Sequence, residues 1–376
     1  MIKKNFQKIF KSISYGIFFK VYGKIKVIIK TSSDNRIKTS IVNIDKSFTY
    51  KVYQITNGRL YTDRIQDTAV ILDNKIIDEM SFQLRNKKDG TIYNSTVSDN
   101  IVFRKGTPRL LRKLNGNVLS LLTGGGGNDN YWHWLYDVLP RLGLCSKKFD
   151  LEKIDYFIFP STLKKFQQES LDCLNIKKNK RLSSEKYRHI SANKLIVTDH
   201  PVVVTGNHSN DIQNVPKWIL TWLRENFLNP NILINKSNPI KIYIDRSDAY
   251  TKKQNQRLLA NENEIKKYLL EKDFVPVKLH KINFKEQVNL FYNAKCIIGL
   301  HGAGFANLAF CKPGTKVIEM RGSNAGFMYE NLAKKNDLNY HSVIIEAKQI
   351  HNFNYPNQQG SIEVPISSIK KIIDNY

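Results

Sequence analysis

The spacing of apolar residues along the chain shows two kinds of pattern. Between about residues 34 and 113 the apolar runs are short and bounded by Asn, Asp and Gly, which is typical of β-strands. From residue 118 onward, strand-like apolar runs alternate with segments of helical periodicity. The strands predicted in the first half are 48–53, 69–72, 117–122 and 156–159, with another strand within 194–204, and the helices are 130–144, 161–174 and 216–227.

The alternation is most regular after residue 240. The strands predicted there are 241–245, 274–279, 296–300, 316–320 and 341–345, and the helices are 262–271, 285–293, 304–310 and 325–335. Alternating strands and helices of this length form a parallel sheet that is covered on both faces. Because the ligands of such sheets bind at the carboxyl ends of the strands, we expect the site residues to follow these strands.

The first thirty residues contain eight lysines and no acidic residue, and their apolar residues recur at helical spacing. Lysines interrupt every apolar run before it reaches the ~20 residues that a bilayer crossing needs, and no small-residue cleavage site follows. The pattern therefore predicts a basic amphipathic helix. Such a helix either lies on an anionic membrane surface or packs on its own domain with a solvated lysine face.

The composition indicates a folded protein of about two domains, with 376 residues of which 41% are hydrophobic. Its formal net charge of +26 favours partners such as anionic lipid head groups or phosphorylated substrates. Because the lysines are spread along the chain and no nucleic-acid-binding motif occurs, we expect no nucleic acid partner. The four cysteines are widely spaced and form no CxxC pair, which predicts free thiols in the cytoplasm.

A turn of small residues, His301-Gly302-Ala303-Gly304, follows the predicted strand 296–300 and precedes a predicted helix. The first backbone N–H groups of a helix have no partner within it and lie at the positive end of its dipole, so this turn is suited to a phosphate. Alternatively, its glycines only allow the strand and the helix to approach each other closely.

The predicted helix 130–144 carries a row of polar residues on one face, formed by Asn130, His133, Asp137 and Arg141. His133 and Asp137 lie one turn apart and can form a hydrogen bond, which either orients the imidazole or supports the carboxylate as a general base. The alternative is an ion pair on the solvated face of an ordinary amphipathic helix.

Two further charged residues lie at predicted strand ends. Arg246 follows the strand 241–245, where its guanidinium could bind a diphosphate through two hydrogen bonds, or it is a surface residue. Glu319 lies near the end of the strand 316–320, where it could accept hydrogen bonds from ribose hydroxyls, or it belongs to a structural salt bridge.

An ordered series of motifs resembles the family 61 glycosyltransferases, with gaps that match those of the family. The motifs lie at 243–246, 257–264, 284–287, 294, 299–308, 313–314 and 317–319, and 130–142 resembles a helix in the N-terminal half of the family. The resemblance covers about residues 117–340. The chain departs from the family pattern at Asp245, where Ser is more common, and at Phe305-Ala306, where Leu-Thr is more common.

The resemblance implies an α/β fold of the GT-B type, in which two Rossmann-like domains face each other across a cleft. It also implies inverting transfer of a hexose or pentose from a nucleotide sugar, usually a UDP-sugar, without a bound metal or other cofactor. The positions that the resemblance assigns to the donor are Arg246, His301, Gly302, Ala303, Gly304, Asn307 and Glu319. We expect Asp137 to be the catalytic base, with His133 as its orienting partner or substitute. Asn130 and Arg141 are expected on the acceptor side.

The predicted organisation is a basic N-terminal segment (1–33), an acceptor-side domain (34–230) and a nucleotide-sugar-binding domain (231–376), with the last helix as a candidate for crossing back. A polar stretch at 229–239 indicates the linker. We expect a bacterial enzyme, peripheral on the inner face of the plasma membrane, that acts on a lipid-linked or polyanionic glycan of the capsule or lipopolysaccharide. The alternative is a glycan- or nucleic-acid-binding protein without turnover.

Overall fold

The computed structural model describes residues 2–44, 47–122, 129–228, 239–247, 258–346 and 361–374, and for residues 2–11 it describes the backbone only. The chain forms two compact units, Met1–Asp211 and Ile212–Tyr376.

The first unit contains twelve strands among its described residues. They are β1 (Val27–Ile29), β2 (Ile37–Asn43), β3 (Thr49–Thr56), β4 (Arg59–Thr62), β5 (Asp67–Leu72), β6 (Lys75–Ile77), β7 (Phe82–Asn86), β8 (Ile92–Asn94), β9 (Arg112–Ser120), β10 (Tyr156–Phe159), β11 (Arg181–Ser183) and β12 (His189–Thr198). The α-helices are α1 (Ile2–Tyr22), α2 (Ile101–Lys105), α3 (Tyr131–His133), α4 (Pro140–Ser146), α5 (Lys165–Cys173) and α6 (His208–Asp211). A π-helical turn, Trp134–Val138, joins α3 to α4, and short 3₁₀ turns lie at Thr31–Ser33, Val97–Asp99, Leu151–Lys153 and Lys178–Lys180.

The described strands of this unit form one mixed sheet, because β12 connects its two parts. On one side β12 pairs in parallel with β9, which continues in parallel to β10 and β11. On the other side β12 pairs antiparallel with β3 and β4. Leu195 of β12 lies opposite both Ile55 and Val118, and all three side chains are fully buried. The β-rich segment and the first alternating segment of the sequence therefore share one hydrophobic core.

The second unit is a Rossmann-like α/β structure. Its strands are β13 (Lys241–Ile244), β14 (Leu258–Leu259), β15 (Val275–Val277), β16 (Cys296–Leu300), β17 (Lys316–Gly322), β18 (Asn339–Ile345) and β19 (Ser361–Ile362). Its α-helices are α7 (Lys217–Phe227), α8 (Glu262–Glu271), α9 (Phe284–Asn293), α10 (Met328–Lys335) and α11 (Ile366–Ile373), with 3₁₀ segments at Leu279–Lys281 and Ala303–Phe310. The predicted α/β class is thus confirmed.

The main sheet of the second unit has the strand order β15-β13-β16-β17-β18, with every pair parallel. The chain runs from β13 to a neighbour on one side, β15, and then crosses to the other side to form β16. The order therefore reverses between β13 and β16, and ligands of such sheets bind at the carboxyl ends of the two strands where the order reverses. Arg246 follows β13 and His301 follows β16, so both lie at this point.

The boundary between the units lies upstream of the predicted linker at 229–239, most of which is outside the described residues. Helix α7 belongs to the second unit because its residues pack against that unit's core. The Phe227 ring lies 4.9 Å from the Phe284 ring. Arg224 donates hydrogen bonds of 2.8 and 2.7 Å to the carbonyl oxygens of Ala309 and Cys311.

Helix α1 packs on the first unit through its last turn. Tyr22 accepts a hydrogen bond of 2.9 Å from the backbone N–H of Leu111, and its ring lies 4.9 Å from that of His189. Three apolar side chains of α1 are exposed, Ile13 (60%), Ile17 (56%) and Val21 (63%). Among the described residues, no helix combines the length and the hydropathy that a bilayer crossing requires.

Candidate functional site

The segment that carries the predicted base is not a continuous α-helix. Asn130 begins it as the N-cap, accepting a 2.8 Å hydrogen bond from the backbone N–H of Trp132. The five residues Trp134–Val138 are then rearranged, because Pro140 has no N–H to donate to the carbonyl of Tyr136 and its ring would clash with that carbonyl. The N–H of Leu139 instead bonds to the oxygen of Trp134, five residues earlier, at 3.0 Å. The result is a π-turn, a feature common at functional sites.

His133 and Asp137 are brought together by this turn. His133 Nδ1 lies 2.5 Å from Asp137 Oδ2, and the side chains are 16% and 2% exposed respectively. Burial lowers the pKa of His133, but the charge and hydrogen bond of Asp137 outweigh it, so the pKa is raised overall. Burial raises the pKa of Asp137, and His133 reverses this to a net lowering. The pair is therefore stabilised as an imidazolium and a carboxylate.

The burial of Asp137 changes the role that we predicted for it. We expected its carboxylate to contact the acceptor, but it lies inside its own unit, and among the described residues its Oδ1 has no hydrogen-bond partner. His133 is the more exposed member of the pair. The geometry thus resembles the Asp–His part of a catalytic triad, in which the carboxylate orients the imidazole.

Two histidines that the sequence analysis missed lie beside this pair. The His208 ring is 6.0 Å from the His133 ring, and the His200 ring is 6.5 Å from the His208 ring. His200 Nδ1 accepts hydrogen bonds from the backbone N–H groups of Val202 (3.2 Å) and Val203 (2.9 Å), so its proton is on Nε2. Burial lowers the pKa of both histidines, which favours the neutral imidazoles. The one signal in the sequence was their position in and shortly after the segment 194–204, in which a strand was predicted.

Asn130 and Arg141, which we predicted on the acceptor side, have backbone partners inside the first unit. Arg141 Nε donates to the carbonyl oxygen of Asp137 and Nη1 to that of Thr198, both at 3.1 Å. Burial lowers the pKa of Arg141 to about 10. These contacts tie the π-turn to the end of β12, while Asn130 caps the helix. Their described role is therefore to position the pair.

A divalent cation could be held by His133, Asp137 and His208, each of which offers one ligand atom within 4.8 Å of the others. However, the 2.5 Å between His133 Nδ1 and Asp137 Oδ2 is a hydrogen-bond distance. Two ligands at the zinc-ligand bond length of about 2.0–2.2 Å would lie roughly 3 Å or more apart. A cation could bind through these two atoms only after this hydrogen bond is broken.

In the second unit, the guanidinium of Arg246 lies against the turn that follows β16. Its Nη1 donates a hydrogen bond of 2.7 Å to the carbonyl oxygen of His301. A Cβ on Gly302 would lie 2.5 Å from the same Nη1, and a Cβ on Gly304 would lie 2.8 Å from Leu279 Cδ1. A side chain at either position would therefore force Arg246 or Leu279 to move, and the glycine at 302 leaves room for a guanidinium at the reversal point of the sheet.

His301 and Glu319 form a buried pair beneath this turn. His301 Nδ1 is hydrogen-bonded to Glu319 Oε1, and Tyr340 donates its hydroxyl to Glu319 Oε2. Burial and the charge of Glu319 raise the pKa of Tyr340, which keeps it a donor. Both carboxylate oxygens of Glu319 thus have protein partners. These contacts correspond to the structural ion pair that the sequence left open for Glu319.

The segment after the turn is a 3₁₀ helix, where the sequence predicted a helix of unspecified type. The side chain of Asn307, which is fully buried, donates hydrogen bonds of 3.2 Å to the carbonyl oxygen of Gly304 and to Gln287 Oε1. A side chain that takes a backbone carbonyl competes with the α-helical hydrogen bond to it. Asn307 therefore shapes the turn from inside. The motif residue Arg257 lies outside the described residues.

In the second unit, the Arg246 guanidinium and a turn of small residues lie at the point where the strand order of a parallel sheet reverses. This arrangement defines a Rossmann-like domain suited to a phosphorylated ligand. Residues 131–318, half of the chain, match the family described as Glycosyltransferase 61. The chain belongs to this family, which confirms the resemblance, and the protein is a glycosyltransferase. The match includes both the His133–Asp137 pair and the turn at residues 301–304. No match was found among curated proteins.

Proposed function

We propose that the protein is an inverting glycosyltransferase that moves a hexose or pentose from a nucleotide donor, a UDP-sugar, to a hydroxyl of a bacterial surface glycan. The glycan is of the capsule or lipopolysaccharide type, and the enzyme has a GT-B arrangement and needs no metal or other cofactor. The observation that carries the proposal is the hydrogen bond between buried Asp137 and the more exposed His133 in a member of this family.

His133 is the catalytic base in this proposal, and Asp137 is its orienting partner. In an inverting displacement the acceptor oxygen attacks the anomeric carbon from the face opposite the departing diphosphate, so one base must take the hydroxyl proton. His133 Nδ1 is bound to Asp137, which leaves Nε2 for that proton. The carboxylate then stabilises the imidazolium that forms. This reverses the order of roles that the sequence suggested.

The departing UDP is stabilised from the second unit. Its diphosphate carries the charge that develops as the glycosidic bond breaks, and a fixed guanidinium is an effective partner for it. We propose that Arg246 and the backbone N–H groups of Gly302, Ala303 and Gly304 contact the diphosphate. His301, Asn307 and Glu319 act from beneath and hold the turn in shape. Since the Arg246 guanidinium supplies the positive charge, no metal is required for this step.

Binding of nucleotides to the full-length protein tests the donor assignment. We expect UDP to raise the melting temperature more than GDP, CMP or inorganic phosphate does, and a UDP-sugar to be slowly hydrolysed. The Arg246→Ala variant should bind UDP about tenfold to a hundredfold more weakly, as expected for a lost charge-assisted hydrogen bond. Lys267→Ala, which removes an exposed positive charge from α8, is the matched control. If Arg246→Ala bound UDP as tightly as the wild type does, Arg246 would be excluded from the donor site.

The basic N-terminal helix supports a proposal about location. We propose that α1 lies on the anionic inner face of the plasma membrane and brings the enzyme to a lipid-linked acceptor. The supporting observations are the eight lysines without an acidic residue in the first thirty positions and the exposed side chains of Ile13, Ile17 and Val21. Nucleic acid is not a partner in this proposal.

A further inference from the structure

An ion pair of the second unit lies next to the proposed donor cation, and no step above uses it. Asp245 follows β13 and is 4% exposed, and its Oδ2 lies 2.7 Å from Nζ of Lys266 on α8. Burial raises the pKa of Asp245, but the hydrogen bonds from Lys266 and Ser247 reverse this to a net lowering, so the group is a carboxylate. A buried negative charge therefore lies one residue before Arg246.

The alternation of side chains at the end of β13 directs these two charges to different neighbours. Tyr243 and Asp245 lie on one face of the strand, and Glu262 and Lys266 lie one turn apart on α8. Both pairs are in contact, because the Tyr243 hydroxyl donates a hydrogen bond of 2.9 Å to Glu262 Oε1. Arg246 is directed to the turn that follows β16, where its Nη1 bonds to a backbone carbonyl oxygen. The carboxylate is thus held by α8, and the guanidinium by the turn.

The two members of the ion pair depend on each other unequally. The side chain of Asp245 is 2% exposed, while that of Lys266 is 31% exposed. A partly exposed lysine is solvated without a partner, whereas a buried carboxylate that has lost its cation is strongly unfavourable. Without Lys266, the charge of Asp245 would act on Arg246 beside it and would repel a diphosphate bound there. Lys266 therefore matters for an anionic ligand as well as for the fold.

We propose that Lys266 is a positioning residue of the donor site: by neutralising Asp245, it leaves the positive charge of Arg246 available to the diphosphate of the donor. The proposal rests on the donor assignment made above, which it extends by naming the residue on which the charge of that site depends. The side chains of Asp245, Arg246 and Lys266 together carry one net positive charge, and without Lys266 they carry none. Affinity for an anion should therefore follow the net charge of these three side chains.

The experiment measures the binding of UDP and of inorganic pyrophosphate to the full-length protein by isothermal titration calorimetry. Lys266→Met keeps an apolar stem of similar length and removes the charge, so it should weaken the binding of both anions about tenfold or more. Lys267→Met is the matched control, because it removes the same charge from the next residue of α8, which is exposed. Its affinities should stay within about twofold of the wild type, since an exposed charge is screened by solvent.

Two variants of Asp245 separate charge from structure. Asp245→Asn/Lys266→Met removes both charges and should restore the binding of both anions to within about threefold of the wild type. Asp245→Asn alone keeps an oxygen that can accept the 2.9 Å hydrogen bond from the backbone N–H of Ser247. It leaves two net positive charges, so it should bind both anions about threefold more tightly than the wild type. This variant tests the proposal in the opposite direction, even if Lys266→Met does not fold.

The proposal is overturned if folded Lys266→Met binds the anions as tightly as Lys267→Met does, or if Asp245→Asn binds them no more tightly than the wild type. A lower melting temperature of Lys266→Met with unchanged affinity would identify a purely structural ion pair and would overturn the proposal in the same way. In both cases the wild type still binds UDP, so the donor assignment stands. If the wild type binds neither UDP nor pyrophosphate, the donor assignment is wrong and the proposal falls with it.

Discussion

At the scale of single residues, the role of the His133–Asp137 pair depends on which of the two side chains is accessible. His133 and Asp137 are one helical turn apart in sequence, and that spacing correctly indicated their hydrogen bond. Spacing does not tell which side chain is buried, because burial depends on what packs over the helix. The packing covers Asp137 and leaves part of His133 accessible.

The activity of the His133 and Asp137 variants should depend on pH in a defined way. In the proposed mechanism the neutral form of His133 is the base, and its pKa is raised, so activity should rise with pH through a midpoint above the ordinary value of about 6.5. Asp137→Asn removes the charge that raises this pKa, so the midpoint should move to lower pH while kcat falls. His133→Gln should lower kcat by about 10²–10⁴-fold. The measurement is kcat against pH, with the KM for the donor as the reference.

An unchanged pH midpoint in Asp137→Asn would contradict the assignment of His133 as the titrating base. Near-normal kcat in His133→Gln would exclude it directly. Binding of UDP should stay within about twofold in both variants, because neither residue belongs to the proposed donor site. A loss of UDP binding would indicate misfolding.

Gly302 offers a second test at the scale of one atom. Its backbone is extended, so any effect of a side chain there comes from space: an added Cβ would lie 2.5 Å from Arg246 Nη1. Gly302→Ala should displace the guanidinium and raise the KM for the nucleotide sugar about tenfold or more. Gly16→Ala is the control, because no atom lies within 4 Å of its added Cβ. Equal KM values for the two variants would show that Arg246 does not need its present position.

At the scale of elements, the clearest feature is the π-turn between α3 and α4. The sequence pattern predicted a continuous helix at 130–144, and the structure divides it. Pro140 was a visible signal, because proline inside a helix removes one hydrogen bond and clashes with the preceding turn. The sequence did not show how the helix would respond to Pro140. A kink, the end of the helix and a π-turn each accommodate the missing N–H and the proline ring.

The Pro140→Ala variant tests whether the π-turn positions the catalytic pair. Alanine supplies an N–H for the Tyr136 carbonyl, so the turn can revert to a regular α-helix and rotate His133 relative to Asp137. We expect kcat to fall about tenfold to a hundredfold, as for other small misplacements of catalytic groups, without loss of melting temperature. Pro216→Ala, at the N-cap of α7, is the control. Unchanged kcat in Pro140→Ala would show that the turn is not needed.

Helix α1 is the second element with a testable role. Its exposed apolar side chains at 13, 17 and 21 lie on one face, because residues four apart are neighbours on a helix. The double variant Ile13→Glu/Ile17→Glu should lose flotation with vesicles that contain anionic lipid. Ser12→Glu adds one negative charge at another exposed position and should retain most of the binding. Equal flotation of both variants would contradict membrane contact through this face.

At the scale of the whole molecule, the two units differ in how far the sequence predicted them. In the second unit, the strand 296–300 and the helix 262–271 were predicted with the bounds that the structure has. Their contacts follow a regular alternation, which local periodicity captures. In the first unit, β12 joins strands that are more than a hundred residues apart in the chain, such as those of Ile55 and Leu195. No local pattern specifies such a pairing.

The same difference between local and distant contacts explains which residues of the candidate site could be predicted. Residues at strand ends were identified in advance because a parallel sheet places these ends at one edge. His200 and His208 were not, because loops after β12 meet the π-turn only in the folded unit. The burial of Glu319 against His301 and Tyr340 was equally a matter of packing.

By itself, the sequence determined the α/β class, the family and the residues, Arg246 and His301, that follow strands of the second sheet. These follow from periodicity and from ordered motifs, which are local properties of the chain. Only the tertiary structure decided that Asp137 is buried and His133 accessible, that Gly302 makes room for Arg246, and that His208 lies beside His133. Burial and close approach arise between segments distant in sequence, so they exist only once the chain has folded.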